Sequence, residues 1–246
     1  MKVFCVRIGD KYGVEYEKYI NTKLQDYEVV WIREPFRDDV ALQWNKMLPM
    51  SIDIDEPVCV IDIDLLLINN YKQVFDYPIN RGQFLTIDDW VSANPDYPIN
   101  GGFFKYYPKD VRYIFDKFMQ DPKHWQNYYI ANGIARGPVN GEQHFVYDSA
   151  KEQLEVITFP ASWFTRFATI NSITHANYDY WQFELSKTYK EKTGNNYLFL
   201  GGEFHPDIKI VHFTHAMTNP TSGIITNLIK PSKTFSYKYH KELRQW

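Results

Sequence analysis

Short apolar runs, rich in β-branched and aromatic residues, alternate along the chain with stretches of helical spacing. Lys2–Ile8, Tyr27–Ile32 and Val58–Ile61 read as strands, and the unbroken Val58–Ile61 run predicts a strand buried on both faces. Between them Glu15–Leu24 predicts a helix, and Asp38–Met47 a second with Asp38 or Asp39 near its start. Strands separated by helices imply parallel pairing and a nucleotide-type α/β half. Further on, Gln83–Ile87 predicts a strand ending in Asp88-Asp89-Trp90, and Lys109–Met119 an amphipathic helix. Asn100-Gly101-Gly102 leads into Phe103-Phe104-Lys105-Tyr106-Tyr107, where the glycines predict a tight turn or a close approach of backbone to a ligand. Asn140–Phe145 opens another helical stretch, and Leu154–Phe159 and Lys209–Phe213 read as short strands. No repeat, low-complexity run or linker interrupts the pattern, so a single domain over residues 1–246 is expected.

Two carboxylates break the pattern at its most apolar point. Asp62 and Asp64 follow the Val58–Ile61 run with Ile63 between them. In extended chain, residues two apart point to one side, so both carboxylates can aim at one spot while Ile63 packs the other way. Like charges beside a buried strand require neutralisation, and a divalent metal with hard oxygen ligands, Mn²⁺ or Mg²⁺, supplies it. Asp53-Ile54-Asp55 has the same spacing but precedes the strand. Ligands of open α/β sheets bind beyond the carboxyl ends of strands, so the earlier pair belongs to a solvated loop at the wrong edge. The loop Gly9–Gly13 after the first strand lies at the correct edge.

Bulk composition narrows the function. A net charge of −3 with no basic block argues against nucleic acid as a partner. No stretch is long and apolar enough for a membrane span, and the start carries no leader-like apolar core. The two cysteines, Cys5 and Cys59, sit in predicted strands and read as small hydrophobes in a reducing compartment, which points to the cytoplasm. Aromatic residues make up 17%, including 19 Tyr and 17 Phe, and aromatic faces stack on sugars and bases. Neither a dinucleotide fingerprint nor a P-loop is present.

Five motifs stand in order: Val3–Gly13, V-I-D-I-D-L at 60–65, I-N-G-G-F-F at 99–104, G-E-Q-H-F at 141–145 and I-V-H-F-T-H at 210–215. Together they resemble the GT-A class of glycosyltransferases, most closely its glycogenin-like and galactosyltransferase-like retaining branch. The resemblance implies one α/β GT-A domain, Rossmann-like with a mixed central sheet. Residues 1–70 would form its nucleotide-binding half and 71–246 its donor-sugar and acceptor half. It implies a metal-dependent hexosyltransferase that uses a nucleotide-sugar, a UDP-sugar above all, and a carbohydrate or other hydroxyl acceptor. Asp62, Asp64 and His212 would hold the metal, with Asp62 also near the ribose. Val6, Arg7, Ile8 and Tyr12 would border the base and ribose. Asn100, with Gly101 and Gly102, would lie by the donor sugar, and Gln143 and Glu142 by the reacting sugar as candidate catalytic residues. Two departures stand out: Glu142 replaces the family's Asp, and the late motif lacks its diphosphate-binding Lys and its Trp. Lys46, Arg33 and His215 are candidate substitutes for that Lys.

Alternatives remain open from sequence. A haloacid-dehalogenase-type phosphatase also carries a D-x-D after an apolar strand, but that strand normally opens the fold. A non-catalytic carbohydrate-binding protein would fit the aromatics but not the paired carboxylates. Asp88, Asp89 and Glu142 are candidate bases for an inverting reaction. A zinc site on His212 and His215 is disfavoured, because residues three apart on a strand face opposite sides. Trp163, Tyr180 and Trp181 read as core in preference to an acceptor platform. His212 as a ligand predicts metal affinity that weakens as pH falls through about 6–7, the imidazole range.

Overall fold

A computed structural model of the chain describes residues 1–67, 69–88, 96, 98–135, 141–160, 163–167 and 209–213. The strands are β1 (Lys2–Val6), β2 (Glu28–Ile32), β3 (Val58–Ile61), β4 (Leu65–Leu67), β5 (Gln83–Asp88), β6 (Ile99–Tyr106), β7 (Glu155–Thr158), β8 (Phe164–Phe167) and β9 (Ile210–Phe213). The α-helices are α1 (Val14–Lys23), α2 (Lys72–Phe75), α3 (Pro108–Gln120), α4 (Pro122–Ala131) and α5 (Glu142–Gln153).

Six strands form one sheet in the order β2-β1-β3-β6-β5-β7. β1 runs parallel to both β2 and β3, and β5 parallel to β7, while β6 is antiparallel to both its neighbours. The sheet is therefore mixed, as expected, with β6 as its one reversed strand. β4, β9 and β8 form a second, three-stranded sheet, with β4 antiparallel and β8 parallel to β9.

Alternation along the strands builds a core on each face. Val3, Cys5, Cys59 and Ile61 pack with Tyr16, Ile20 and Phe75. Their neighbours Phe4, Val58 and Val60 face the other way, onto Trp44, Phe104, Phe118 and Phe145. α3 delivers Val111, Ile114 and Phe118 to that second face and begins with Pro108, whose fixed φ and missing N–H suit a first helical turn. Cys5 and Cys59 are buried and unbridged.

Two expectations change. The helix predicted over Asp38–Met47 is a 3₁₀ helix over Leu42–Ser51. Pro49 lies inside it and lacks the N–H that an α-helical bond would need, and Ala41 enters in extended conformation. Gly101 and Gly102 make no turn; both lie within β6.

Chain order places the site. From the central β1 the chain first goes out to β2, then returns across to β3 on β1's other side. Such a reversal of direction opens a crevice at the carboxyl ends of β1 and β3, where ligands of open α/β sheets bind. β6 begins at this same edge, since Phe103 pairs with Ile61 and the Gly102 carbonyl accepts from the Asp62 N–H at 2.9 Å.

Candidate active site

Beyond Ile61 the chain bends through Asp62–Asp64 before entering β4 in the second sheet. Ile63 is buried in the core, so the two carboxylates are left to the crevice side. β9 lies against β4 with His212 opposite Leu65, the residue after Asp64. This register delivers the imidazole: His212 Nε2 lies 3.4 Å from Asp62 Oδ2 and 3.4 Å from Asp64 Oδ1. The three side chains offer ligand atoms within 4.8 Å of one another. Two carboxylate oxygens and an imidazole nitrogen are a donor set that suits Mn²⁺, so this group could hold a divalent metal.

The other oxygen of each carboxylate is engaged. Lys46 Nζ lies 2.5 Å from Asp62 Oδ1 and donates to the Gly101 carbonyl at 2.9 Å. The Tyr12 hydroxyl donates to Asp64 Oδ2 at 2.9 Å. Lys46 is buried, yet Asp62 and Glu142 offset the penalty of burial and raise its pKa. Burial would also raise the Asp62 carboxyl, but Lys46 and His212 outweigh it and hold the group well below the usual carboxylate range. For His212, burial opposes the charged form, while Asp62 and Asp64 carry the pKa up to about 9.

Gly101 and Gly102 thread between these groups. A Cβ at Gly102 would come within 2.9 Å of Asn100 Oδ1 and 3.2 Å of the His212 ring. One at Gly101 would meet Gln143 Cβ at 3.0 Å and Glu142 Oε2 at 3.4 Å. The predicted close approach is thus to the site's own side chains. The Asn100 and Gln143 carbonyl oxygens accept from the Gly102 and Gly101 amides at 2.9 and 3.0 Å. Gln143 and Glu142 open α5, which starts at Gly141 with φ of 131°, a backbone state that favours glycine. Glu142 is buried and its Oε1 has no hydrogen-bond partner. Burial pushes its carboxyl up to about 7, against the pull of Lys46.

The structure thus brings together Tyr12, Asp62, Asp64, Asn100, Gly101, Gly102, Glu142, Gln143 and His212. It does not aim Arg7 into the crevice: its guanidinium binds Glu17 and the Tyr12 carbonyl. Val6 and Ile8 pack partly buried against the core. Among the proposed substitutes for the missing Lys, Arg33 is bound to Glu17 and Lys46 reaches the site. His215, Asp89, Tyr180 and Trp181, and the side chains of Val211 and Phe213, lie outside the described residues. Trp163 packs edge-on to Tyr77 at 5.6 Å, as expected of a core residue. Asp53 and Asp55 are exposed and paired with Lys109, and Asp55 also with Arg81, away from the carboxyl end of β3. The link from Tyr12 to Asp64 spans 52 residues and had no local signal in the sequence.

No protein-family model and no curated protein sequence matches the chain. Solved structures do. The glycosyltransferase GlyE of Streptococcus pneumoniae TIGR4 aligns with a TM-score of 0.50 at 14% identity, over 86% of this chain and 54% of GlyE. This chain therefore matches about half of GlyE's length. The galactosyltransferase LgtC, solved with donor and acceptor sugar analogs, aligns with a TM-score of 0.51 at 12% identity, over 100% of this chain and 95% of LgtC. The chain has the GT-A glycosyltransferase fold. Among the described residues no helix is long and apolar enough to cross a membrane.

Proposed function

We propose that this protein is a metal-dependent glycosyltransferase that moves a hexose from a nucleotide-sugar, UDP-linked, to a hydroxyl of a carbohydrate or other acceptor, with retention at the anomeric carbon. The observation that carries this reading is the meeting of Asp62, Asp64 and His212 at the carboxyl edge of a glycosyltransferase-type sheet. Asp62, Asp64 and His212 would hold Mn²⁺ or Mg²⁺, which when bound neutralises charge developing on the departing diphosphate. The first 70 residues take the nucleotide and the remainder takes the sugar and acceptor. Val6, Arg7, Ile8 and Tyr12 border the nucleoside, Arg7 by shaping the Tyr12 loop through its bond to the Tyr12 carbonyl.

The amide side chains work as fixed donors. Backbone N–H groups occupy the carbonyl oxygens of Asn100 and Gln143, which leaves their NH₂ groups to donate to donor-sugar hydroxyls. Lys46 brings a buried cation to the same edge and is the candidate for the phosphate-binding role of the family's late Lys. Glu142, unpartnered at Oε1 and titrating near neutrality, can accept a hydroxyl proton there or return one. Retention follows the branch whose motifs the chain resembles. The two buried, unbridged thiols support placement in the cytoplasm.

Incubation with UDP-sugars and Mn²⁺ should release UDP, slowly to water and faster to the right acceptor, and chelation should stop it. NMR of the product anomer tests retention. Orthophosphate released from simple phosphate esters, without any nucleoside diphosphate, would instead establish the phosphatase alternative.

A further inference from the structure

α4 turns one of its aromatic rings to solvent. Tyr128 is 39% exposed, the one exposed Tyr, Phe or Trp among the described residues, whereas its neighbour Tyr129 is buried. Other rings fix it in place. Trp125 and Tyr129 stand edge-on to it at 5.8 and 5.1 Å between centroids, and His124 leans against it at 5.5 Å. Beside it runs an open groove of about 440 Å³, a size that suits a small ring-shaped ligand. Asn127 and Asn132 line this groove. They donate at 2.7 Å to carbonyls one turn back, of Lys123 and Tyr128 respectively. Each bond pins a side chain and leaves its amide oxygen and a second N–H for a ligand. The carboxylate and ammonium of the lining, Asp121 and Lys123, are one of each sign. We propose that this groove binds a neutral carbohydrate chain and so holds the acceptor beside the crevice.

The acceptor role rests on the glycosyltransferase reading above, while the carbohydrate site stands on α4 alone. A sugar ring has an apolar C–H face and a rim of hydroxyls. A tyrosine face takes the first, and amides, which both donate and accept, take the second. A ring already held by its neighbours loses little further freedom on binding. Asp121 and Lys123 offset each other, so the groove has no surplus charge to recruit an anionic or cationic chain. α4 is also braced against both elements that carry crevice residues. Tyr129 packs on Gly141, where a Cβ would meet Tyr129 Cβ at 3.3 Å, and Gly141 opens the α5 helix that begins with Glu142 and Gln143. Gln126 accepts from the Ala41 N–H at 2.7 Å and donates to the Asp39 carbonyl at 2.8 Å. These bonds fix the entry to the 3₁₀ helix that carries Lys46.

Affinity electrophoresis tests the site without nucleotide or metal. Native gels are cast with glycogen, hydroxyethyl cellulose or dextran as neutral probes and with heparin as an anionic one. The wild-type chain should be retarded by at least one neutral polymer, to the same degree at low and high salt. Tyr128→Ala should weaken that retardation about tenfold, and Tyr128→Phe, which keeps the ring, should retain most of it. An unchanged melting midpoint in Tyr128→Ala separates loss of the platform from loss of the fold. Migration unaffected by every neutral polymer, retardation by heparin alone, or retardation undiminished in Tyr128→Ala overturns the proposal. For the acceptor role, oligosaccharides of the retarding polymer should accept sugar with a KM raised about tenfold in Tyr128→Ala and kcat little changed; an equal KM in the two proteins overturns that role. Retardation by a chain that releases no UDP from any UDP-sugar keeps the carbohydrate site and overturns the transferase reading instead.

Discussion

Replacing Lys46 by Met should expose how the site balances its charge. Met keeps most of the length and apolar bulk of the side chain while removing the ammonium. Among the described residues Asp62 then keeps only His212 as a near cation, at 3.4 Å. Removing one member of a buried ion pair costs about 3–5 kcal/mol, because the other charge stays behind uncompensated. The Asp62 side chain is 25% exposed, so solvent screens part of this and the lower end applies, about 3 kcal/mol. For a chain of this size each kcal/mol moves the melting midpoint by about 2–4 °C, so the variant should melt roughly 6–12 °C lower in EDTA. A metal at about 100 times its Kd adds about 2.7 kcal/mol to any form that binds it. It should add more to Lys46→Met, where it also takes over the lost charge, so the gap to wild type narrows in Mn²⁺. Calorimetric melts of both proteins, with and without Mn²⁺, decide the matter. A Lys46→Met midpoint equal to wild type in EDTA refutes the charge argument. So does a Lys46→Met/Asp62→Asn double variant whose loss is the plain sum of the two singles, since coupled residues should not add.

Two further expectations concern the proposed metal ligands. Asp64→Ala should abolish Mn²⁺ binding in calorimetry while the chain stays folded, whereas Asp53→Ala, at an exposed site ion-paired to Lys109, should leave binding unchanged and cost less than about 1 kcal/mol; equal effects of the two changes would invalidate the choice of carboxylate pair. In the metal-free protein the folded pKa of His212, about 9, exceeds its ordinary 6.5, so its stabilisation is complete below about 6.5 and is lost as pH rises through 9, while Mn²⁺, which needs the neutral ring, should bind up to tenfold more tightly per pH unit over that window. An affinity flat from pH 7 to 9, or proton release absent from the binding heat in different buffers, would remove His212 from the ligand set.

That pH window shows where the sequence stops being informative. A histidine flanked by Val211 and Phe213 predicts the ordinary imidazole range, because its neighbours in sequence carry no charge. The shift comes from Asp62 and Asp64, about 150 positions away, and requires the β4–β9 register. Asp62 and Asp64 were legible as a candidate pair because they directly follow an apolar run that predicts a buried strand, and because Pro57 sets them apart from Asp53-Ile54-Asp55. The direction of β6 was not fixed by any local pattern, since an apolar run reads the same in either sense. Lys46 was visible as one lysine among several cations. What singles it out is the 3₁₀ helix, which buries it beside Trp44 and Met47.

The accounting of charge leaves one group over, and that group points to the chemistry. Lys46 and a protonated His212 match Asp62 and Asp64 one for one. Glu142 is the fifth, with no cation of its own and no partner for Oε1 among the described residues. A buried carboxyl in that position costs stability whenever it ionises, and a folded chain would gain by replacing it with an apolar residue. Its first-turn position on α5 fixes it against Gly101, so the cost is built into the same edge that carries Asp62, Asp64 and His212. Strain of this kind, held at a crevice by surroundings that do not relieve it, is the usual mark of a group kept for a ligand or a proton. Glu is one methylene longer than Asp, so Glu142→Asp should withdraw that carboxyl from Gly101.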